Sequence, residues 1–134
     1  MKRKPVVETK LLKRHADKLM SLYIRQRDGN RCVLCGSDSR PQCGHVLSRV
    51  ALATRWDDTN CHCQCASCNM RHEFNAYPYI SWFITKFGKD KLDELQRRWN
   101  KPHPMKRHDY EELIASLEAK IKALNERDFN ANAS

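Results

Sequence analysis

The sequence contains no long apolar segment. Its 134 residues include no run that approaches the roughly 20 apolar residues needed to span a bilayer. The first ten residues, MKRKPVVETK, are charged but are not followed by a hydrophobic stretch, so they do not read as a signal peptide. We therefore expect a protein without a membrane segment that works in the cytoplasm.

Acidic residues are scarce compared with basic ones. The chain has 16 Asp and Glu against 25 Lys and Arg, a net charge of +9, and a mean hydropathy of −0.79. Residues 1–31 hold ten of the basic and three of the acidic residues, a net +7 in the first quarter of the chain. Such a balance favours a polyanionic partner, and nucleic acid is the first candidate. We expect residues 1–8 to be a basic arm that, with the helix after it, grips a DNA backbone.

Internal repeats are also missing, apart from two CxxC pairs, and the length fits one domain with a modest core. Helical spacing of apolar residues predicts a helix over residues 9–27, ended by a turn at residues 28–30. The segments QCGHVLS and NCHCQC predict two short strands. A helix that opens in the second CxxC is expected to run through Phe74. The expected fold class is α+β.

The C-terminal part of the sequence predicts further helices, an extension over residues 89–128. Pro78 opens a helix that Gly88 ends, residues 89–99 continue helically, and Asp109 is expected to cap a last helix. This last helix carries an apolar stripe at heptad spacing, formed by Tyr110, Ile114, Leu117, Ile121 and Leu124. Packing on its own domain and homodimerisation explain the stripe equally well. Residues 129–134 are expected to be a disordered tail.

The cysteines predict a metal site. Seven is an odd number, which argues against a fully paired disulfide framework, and a reducing compartment favours thiolate ligands. Cys32 and Cys35, and then Cys65 and Cys68, form two CxxC pairs with 29 residues between them. Two residues between cysteines let both sulfurs reach one ion, and two such turns complete a tetrahedron. We predict a structural Zn²⁺ held by these four cysteines.

Three further cysteines lie outside the two pairs. Cys61 and Cys63 alternate with His62, which places both thiols on one face of a strand and His62 on the other. We expect Cys43, Cys61 and Cys63 to be buried apolar thiols. A ligand set that includes Cys61 or Cys63 is the alternative, with poorer pairing.

Between the CxxC pairs stand His45 in GHVLSR and Asn60 in RWDDTNCHCQC, and Asn69 in CNMRHEFN follows Cys68 directly. This ordered set, framed by four CxxC cysteines, resembles the HNH, or ββα-metal, endonuclease superfamily. Within it, the chain resembles the NinG (Rap) recombination endonucleases of lambdoid phages, over about residues 22–80. The resemblance implies a small zinc-stapled ββα-metal nuclease core, within residues 9–88, flanked by an N-terminal helix and C-terminal helices.

The resemblance implies a role for each residue of the set. His45 is the general base, a task that suits an imidazole with a pKa of about 6.5. Asn69 binds a catalytic Mg²⁺ or Mn²⁺ ion, which prefers oxygen ligands. Catalysis needs this second ion because the ion in a closed Cys₄ site has no free coordination position. Asn60 braces the loop that holds the base. Outside this resemblance, Asn60 is also explained as a turn residue and Asn69 as a polar residue at a helix start.

One position departs from the family pattern. Many HNH enzymes have Asp or His directly before the base as a second metal ligand, whereas this chain has Gly44. Glu73, four residues after Asn69 and on the same helix face, is the first substitute ligand. Other candidate ligands are His72, Asp57 and Asp58.

Three arginines lie near this set in sequence. Arg49, Arg55 and Arg71 are expected to contact DNA phosphates, because a guanidinium clamps a phosphate with two hydrogen bonds. Solvated surface charge explains each of them equally well.

Together these features predict an endodeoxyribonuclease that hydrolyses phosphodiester bonds with a histidine base and one divalent ion. The resemblance implies phage recombination and branched DNA such as Holliday junctions. A general HNH nicking or double-strand endonuclease is one alternative, and a zinc-stapled DNA-binding module without catalysis is another. The module explains the charge and the cysteines but not the spacing of His45, Asn60 and Asn69. The cytoplasm would be that of a bacterial host if a phage or prophage encodes the chain.

Overall fold

The computed structural model describes the backbone of residues 4–133 and the side chains of residues 9–133. The elements in this part of the chain are α1 (Lys4–Arg27), β1 (Pro41–His45), α2 (Leu52–Arg55), β2 (Cys61–Cys65), α3 (Ala66–Arg71), α4 (Tyr77–Phe87), α5 (Lys89–Trp99) and α6 (Arg107–Ala133). The fold is a small mixed α+β domain, mostly helical, with one two-stranded sheet.

The sheet stands at the centre of the described chain. β1 and β2 are antiparallel, and in their register Gly44 pairs with His62 and His45 pairs with Cys61. Successive residues of a strand point to opposite faces, so His45 and Cys61 share one face while Gly44 and His62 share the other. The short helix α2 lies in the connection between the two strands, and the chain passes from β2 straight into α3. The two predicted strands are confirmed, and α3 is shorter than expected because it ends at Arg71 rather than Phe74.

The first hydrophobic core lies on the face of the sheet that carries Cys61. Ala16, Met20 and Ile24 recur at helical spacing along α1 and pack with Cys61 and with Leu117 of α6. All five are almost completely buried. At about 25 cal/mol per Å² of apolar surface, this contact between α1, α6 and the sheet is a main source of stability.

The apolar stripe of α6 belongs to this core. Tyr110 and Leu117 are buried, and Ile114 packs beside them against α1. Gln26, near the end of α1, donates hydrogen bonds to Asn125 at 2.8 Å and to an acidic side chain one turn further on. The two helices therefore run parallel, and packing within the chain accounts for the stripe without a second copy.

The second core lies on the opposite face of the sheet. It is formed by Val46, Tyr79, Phe83 and Leu95, with Trp82 at its margin. Tyr79 and Phe83 of α4 are buried, and Trp82 is partly buried. The two aromatic residues at the ends of the helix, Tyr77 and Phe87, are exposed.

His62 is inserted between the sheet and this second core. Its Nε2–H donates to the Thr59 carbonyl at 2.6 Å, and its Nδ1 accepts from Arg27 at 3.0 Å. Its ring stacks edge-on against Trp82, with centroids 4.8 Å apart. Burial, together with the nearby Arg27 charge, lowers the pKa of His62 to about 4. His62 is therefore a neutral structural residue.

Helix ends correct three details of the expected organisation. α1 begins at Lys4, so most of the predicted basic arm continues the helix, and residues 1–3 lie outside the described chain. α6 begins at Arg107, and Asp109 accepts a hydrogen bond from the Lys106 N–H at 2.8 Å. Asp109 is therefore the reciprocal partner in the first turn and not the cap itself. α6 continues to Ala133, so residues 129–133 are helical and not a disordered tail.

None of the helices within residues 4–133 combines the length and the hydrophobicity that crossing a membrane requires.

Candidate functional site

The two CxxC pairs come together as one cluster. The sulfur atoms of Cys32, Cys35, Cys65 and Cys68 all lie within 4.8 Å of one another, and the Sγ atoms of Cys35 and Cys65 are 3.7 Å apart. Three of the four residues are buried and Cys35 is exposed. Four thiolates at such distances suit a tetrahedral Zn²⁺, so this Cys₄ cluster can hold a structural metal ion.

Local backbone geometry shapes both halves of the Cys₄ cluster. In the first half, the Gly36 N–H donates to the Cys32 carbonyl at 2.9 Å, and Gly36 adopts a φ of +80°, which glycine tolerates best. In the second half, Cys65 is the N-cap of α3, and its sulfur accepts the Cys68 N–H at 3.4 Å. The first helical turn thus aims two sulfurs at the same point.

The remaining cysteines are thiols packed between the sheet and α1. Cys61 and Cys63 are completely buried and Cys43 is half-buried. Burial raises the pKa of the Cys61 thiol well above its ordinary value, and contact with Cys43 acts in the same direction. The expectation that Cys61 and Cys63 are buried strand thiols is confirmed.

His45 is the last residue of β1, and one of its ring nitrogens is held in a hydrogen bond. Its Nε2 lies 2.9 Å from the Arg55 carbonyl oxygen, an acceptor only, so Nε2 carries the proton and Nδ1 keeps a lone pair. Burial, together with the positive charges of Arg49 and Arg55, lowers the pKa of His45 below its ordinary value. The ring is therefore neutral near pH 7 and holds a basic nitrogen in a fixed tautomer.

Asn60 organises the loop that follows His45. Its Oδ1 accepts the Leu47 N–H at 2.9 Å, and its Nδ2 donates to the carbonyls of Leu47 at 3.0 Å and Thr54 at 3.1 Å. The backbone carbonyl of Asn60 also accepts the Val46 N–H at 2.8 Å. Asn60 is fully buried, so it fixes the path of the chain after His45 without lining the cavity described below.

Asn69 lies on α3 and contacts β1. Its Nδ2 donates to Gln42 Oε1 at 2.9 Å, which fixes the amide orientation. Its Oδ1 faces Gly44 and lies 3.1 Å from the point where a Cβ on that residue would stand. The oxygen of Asn69 therefore points toward Gly44 in β1.

Gly44 is a glycine because another side chain fills its space. A Cβ at this position would overlap the amide oxygen of Gln64, which reaches across from β2. Gln64 is fully buried, and within residues 9–133 neither its Oε1 nor its Nε2 has a hydrogen-bond partner. Such an orphaned amide costs about 1–3 kcal/mol. Two amide oxygens, from Gln64 and Asn69, thus converge on the space beside Gly44.

A cavity of about 410 Å³ opens between the end of β1 and α3. Its walls bring together Cys43, His45, Ser48, Arg49, Asn69, His72 and Glu73. Three predicted site residues, His45, Asn69 and Glu73, therefore line one cavity. The sequence predicted Glu73 on the same helix as Asn69, but Glu73 lies in the turn after α3, because α3 ends at Arg71. Asn60 lies behind this cavity as a brace.

The other candidate metal ligands fall into two groups. His72 lines the cavity, its Nε2 donates to the Val46 carbonyl at 2.9 Å, and its buried Nδ1 has no partner among the described side chains. Asp57 is paired with Arg98 at 2.8 Å, and Asp58 with Lys120 at 3.0 Å. Both aspartates form ion pairs elsewhere in the fold, and neither lines the cavity.

The three arginines expected to contact DNA have different environments. Arg55 is 8% exposed, and its guanidinium binds Asp17 at 2.6 Å. A DNA contact does not fit this geometry, and Arg55 is better described as part of the support around His45. Arg49 has a side chain 59% exposed at the cavity rim, although it also pairs with Asp17 at 3.0 Å. Arg71 is exposed on α3, outside the cavity lining.

Sequence reasoning did not identify Asp17 and Gln64. Asp17 forms ion pairs with Arg49 and Arg55 and accepts a hydrogen bond from the Trp56 indole N–H at 2.9 Å. Asp17 therefore anchors the loop that carries the Arg55 carbonyl. On the sequence it is one acid in a basic helix, a weak signal. Gln64 had a clearer signal, because an amide in the middle of a buried strand needs partners.

Comparisons with known proteins support the part of the resemblance that concerns the NinG proteins. A family model described as Bacteriophage Lambda NinG protein matches residues 1–127. Protein ninG of Escherichia phage 933W is 29% identical over 115 residues, which are 83% of this chain and 57% of that protein. Protein ninG of Escherichia phage lambda is 28% identical over 115 residues, with 83% and 56% covered. Protein ninG of Salmonella phage P22 is 29% identical over 125 residues, with 90% and 60% covered.

The chain therefore spans less than two thirds of the length of these relatives. No solved structure matches it. The family model covers nearly all of the chain, including both CxxC pairs and the cavity residues. This chain belongs to the bacteriophage lambda NinG protein family.

Proposed function

We propose that this protein is a metal-dependent DNA endonuclease of the HNH type. The observation that carries the proposal is the state of His45. Its Nε2–H is held by the Arg55 carbonyl at 2.9 Å, its lowered pKa keeps it neutral, and it lines a cavity with Asn69 and Glu73. A neutral imidazole with one pinned nitrogen and one free lone pair is what a general base requires.

The donor atoms around Gly44 fit a hard divalent cation. Asn69 and Glu73 line the cavity. The oxygens Asn69 Oδ1 and Gln64 Oε1 both lie beside Gly44, with Gln64 fully buried and outside the cavity lining. Mg²⁺ and Mn²⁺ prefer such oxygen ligands and accept few of them from the protein. The orphaned Gln64 amide supports this assignment, since a cation would satisfy its oxygen. Bound there, the ion would neutralise the scissile phosphate and stabilise the leaving 3′ oxygen.

The remaining residues act on substrate and water. His45 Nδ1 accepts a proton from the water that attacks phosphorus, while the bond from phosphorus to the 3′ oxygen breaks. The Arg55 carbonyl holds the ring so that the protonated imidazole stays in place, and Asn60 fixes the loop beyond it. Arg49 at the rim and Arg71 on α3 are positioned to bind flanking phosphates, supported by the net charge of +9.

Membership of the NinG family supports a role in phage DNA recombination, with branched DNA such as a Holliday junction as substrate. Phosphate contacts alone do not distinguish junctions from linear duplex. The substrate must therefore be found by comparing plasmid, linear duplex and four-way-junction DNA.

The test compares wild type with His45→Ala on these three substrates, with Mg²⁺ or Mn²⁺ and without either. His103→Ala, which changes an exposed histidine in a loop, is the matched control. We expect metal-dependent cleavage by wild type and the control, and a loss of about 10²-fold or more in His45→Ala. DNA binding and zinc content should stay unchanged.

Equal cleavage by wild type and His45→Ala would refute the assignment of the base. If no substrate is cleaved by any variant while DNA still binds, the protein is a zinc-stapled DNA-binding module instead. A pH profile adds a second readout. The wild-type rate should already be on its plateau at pH 7 and fall at acid pH, because the His45 pKa lies below its ordinary value.

A further inference from the structure

A second group of metal-ligand side chains lies on the face of the sheet turned toward α1. One ligand atom each from Cys43, His45 and Cys61 lies within 4.8 Å of the other two. The sheet register explains the group, because His45 pairs directly with Cys61, and Cys43 precedes His45 by two residues on the same face. None of the three belongs to the Cys₄ cluster.

The donor types in this group select a particular class of ion. Two sulfurs and one imidazole nitrogen suit a soft or borderline cation such as Zn²⁺, Co²⁺ or Cd²⁺, whereas Mg²⁺ prefers oxygen. Two thiolates cancel the two charges of the ion. A neutral complex is needed here because Cys61 is completely buried.

The group also leaves room for a fourth ligand. A cavity of about 160 Å³ adjoins Cys43 and His45 and is lined on its other sides by Asp17, Arg49 and Arg55. A water molecule in this space would complete a tetrahedron, as in zinc sites that have three protein ligands and one open position.

We propose that Cys43, His45 and Cys61 form a second, soft-metal site, and that its occupation withdraws His45 from catalysis. Binding releases two thiol protons to solvent while His45 coordinates as the neutral imidazole. If Nδ1 is the ligand, the ion takes the lone pair of the base directly. If Nε2 is the ligand, the bond to the Arg55 carbonyl breaks and the remaining proton moves to Nδ1.

The inhibitory consequence rests on the proposed nuclease function, but the metal site does not. The two zinc sites should differ in strength, since the Cys₄ cluster closes four thiolates around its ion and the second site offers three ligands. Zinc would therefore fill the Cys₄ cluster first and act on His45 only at higher free concentration.

The experiment starts from full-length protein that carries one equivalent of zinc and titrates it with Co²⁺. We expect one further equivalent to bind, with a thiolate-to-cobalt charge-transfer band weaker than that of a four-thiolate site. Cys43→Ala should weaken this second binding by at least tenfold, because even outer-shell changes cost about 10–100-fold. Cys63→Ala, a neighbouring buried thiol outside the group, is the matched control and should retain it.

Circular dichroism verifies that each variant is folded, and the half-buried Cys43 is chosen because its removal disturbs the core less than removal of Cys61. Failure of wild type to bind a second equivalent would overturn the site. So would an unchanged second affinity in both Cys43→Ala and Cys61→Ala.

The activity arm measures cleavage in Mg²⁺ with and without a second equivalent of Zn²⁺. Wild type and Cys63→Ala should be inhibited, and the ratio of the two rates should approach one in Cys43→Ala. Tight second binding without inhibition would refute the withdrawal of His45. If the protein cleaves no DNA at all, the nuclease proposal fails, while the Co²⁺ titration still decides whether the soft-metal site exists.

Discussion

The Cys₄ cluster and the cavity beside His45 both use α3, through Cys68 and Asn69, but they are built from different donor atoms. The cluster gathers four sulfurs within 4.8 Å from two short local turns. The cavity gathers an imidazole, an amide oxygen and a carboxylate from β1, α3 and the segment after it, and the buried Nδ1 of its His72 has no partner among the described residues. A closed site of four thiolates suits a structural ion, whereas the oxygen donors of the open cavity suit the hard divalent ion that we propose.

Breaking the cluster should have the largest effect. Cys68→Ser removes one of four ligands, and structural zinc contributes on the order of 10 kcal/mol of apparent folding free energy. We expect loss of zinc and of cooperative thermal unfolding, measured by metal analysis and circular dichroism. Cys63→Ala should keep both. A folded, zinc-free Cys68→Ser protein would show that the cavity is organised without the cluster.

Lowering the pH should reveal the contribution of His62 to stability, separately from that of the zinc ligands. The pKa of His62 falls from an ordinary 6.5 to about 4, so the unfolded chain binds this proton more readily than the folded one. Stability from His62 is complete above about pH 6.5 and is lost as the pH falls toward 4, by about 3 kcal/mol. The measurement is denaturant unfolding against pH, with zinc content followed in parallel. His62→Gln does not titrate and should lose this part of the slope; an unchanged slope would contradict the prediction.

Asn60→Ala should damage the cavity side alone. The change leaves the Leu47 N–H and the carbonyls of Leu47 and Thr54 without their partner, which costs about 2 kcal/mol. We expect a lower midpoint of chemical unfolding and slower cleavage, with zinc content unchanged. Asn100→Ala, at an exposed position, is the control. Loss of zinc in Asn60→Ala would show that the two sites are not separable.

The smallest expected effect has the opposite sign. Gln64→Met replaces an unpartnered buried amide by an apolar side chain of similar shape, so we expect about 1 kcal/mol of added stability. Binding of Mn²⁺, followed by its electron paramagnetic resonance signal, should weaken at the same time. Asn75→Ala, at an exposed position, should change neither. A less stable Gln64→Met protein would mean that the amide is a structural group.

The sequence predicted local features far better than assembled ones. CxxC pairs encode their own geometry in four residues, and the alternation of Cys61, His62 and Cys63 foretold two faces of a strand. The spacing of His45, Asn60 and Asn69 pointed to three residues that lie close to one cavity, two in its lining and Asn60 behind it. What escaped was tertiary: the Arg55 guanidinium is committed to Asp17, which lies 38 residues away, and Gln64 occupies the space that Gly44 leaves. Neither contact produces a periodic or short-range pattern in the sequence.

The Cys₄ cluster also sets the topology of the folding chain. Metal bound by Cys35 and Cys65 ties together two points separated by 29 residues, and β1, α2 and most of β2 lie inside that loop. Closing a loop of this length removes about 3–4 kcal/mol of entropy from the unfolded chain. Both His45 and Asn60 are inside it, so zinc capture early in folding would shorten the conformational search of the segment that carries them, before α6 is available to pack against α1.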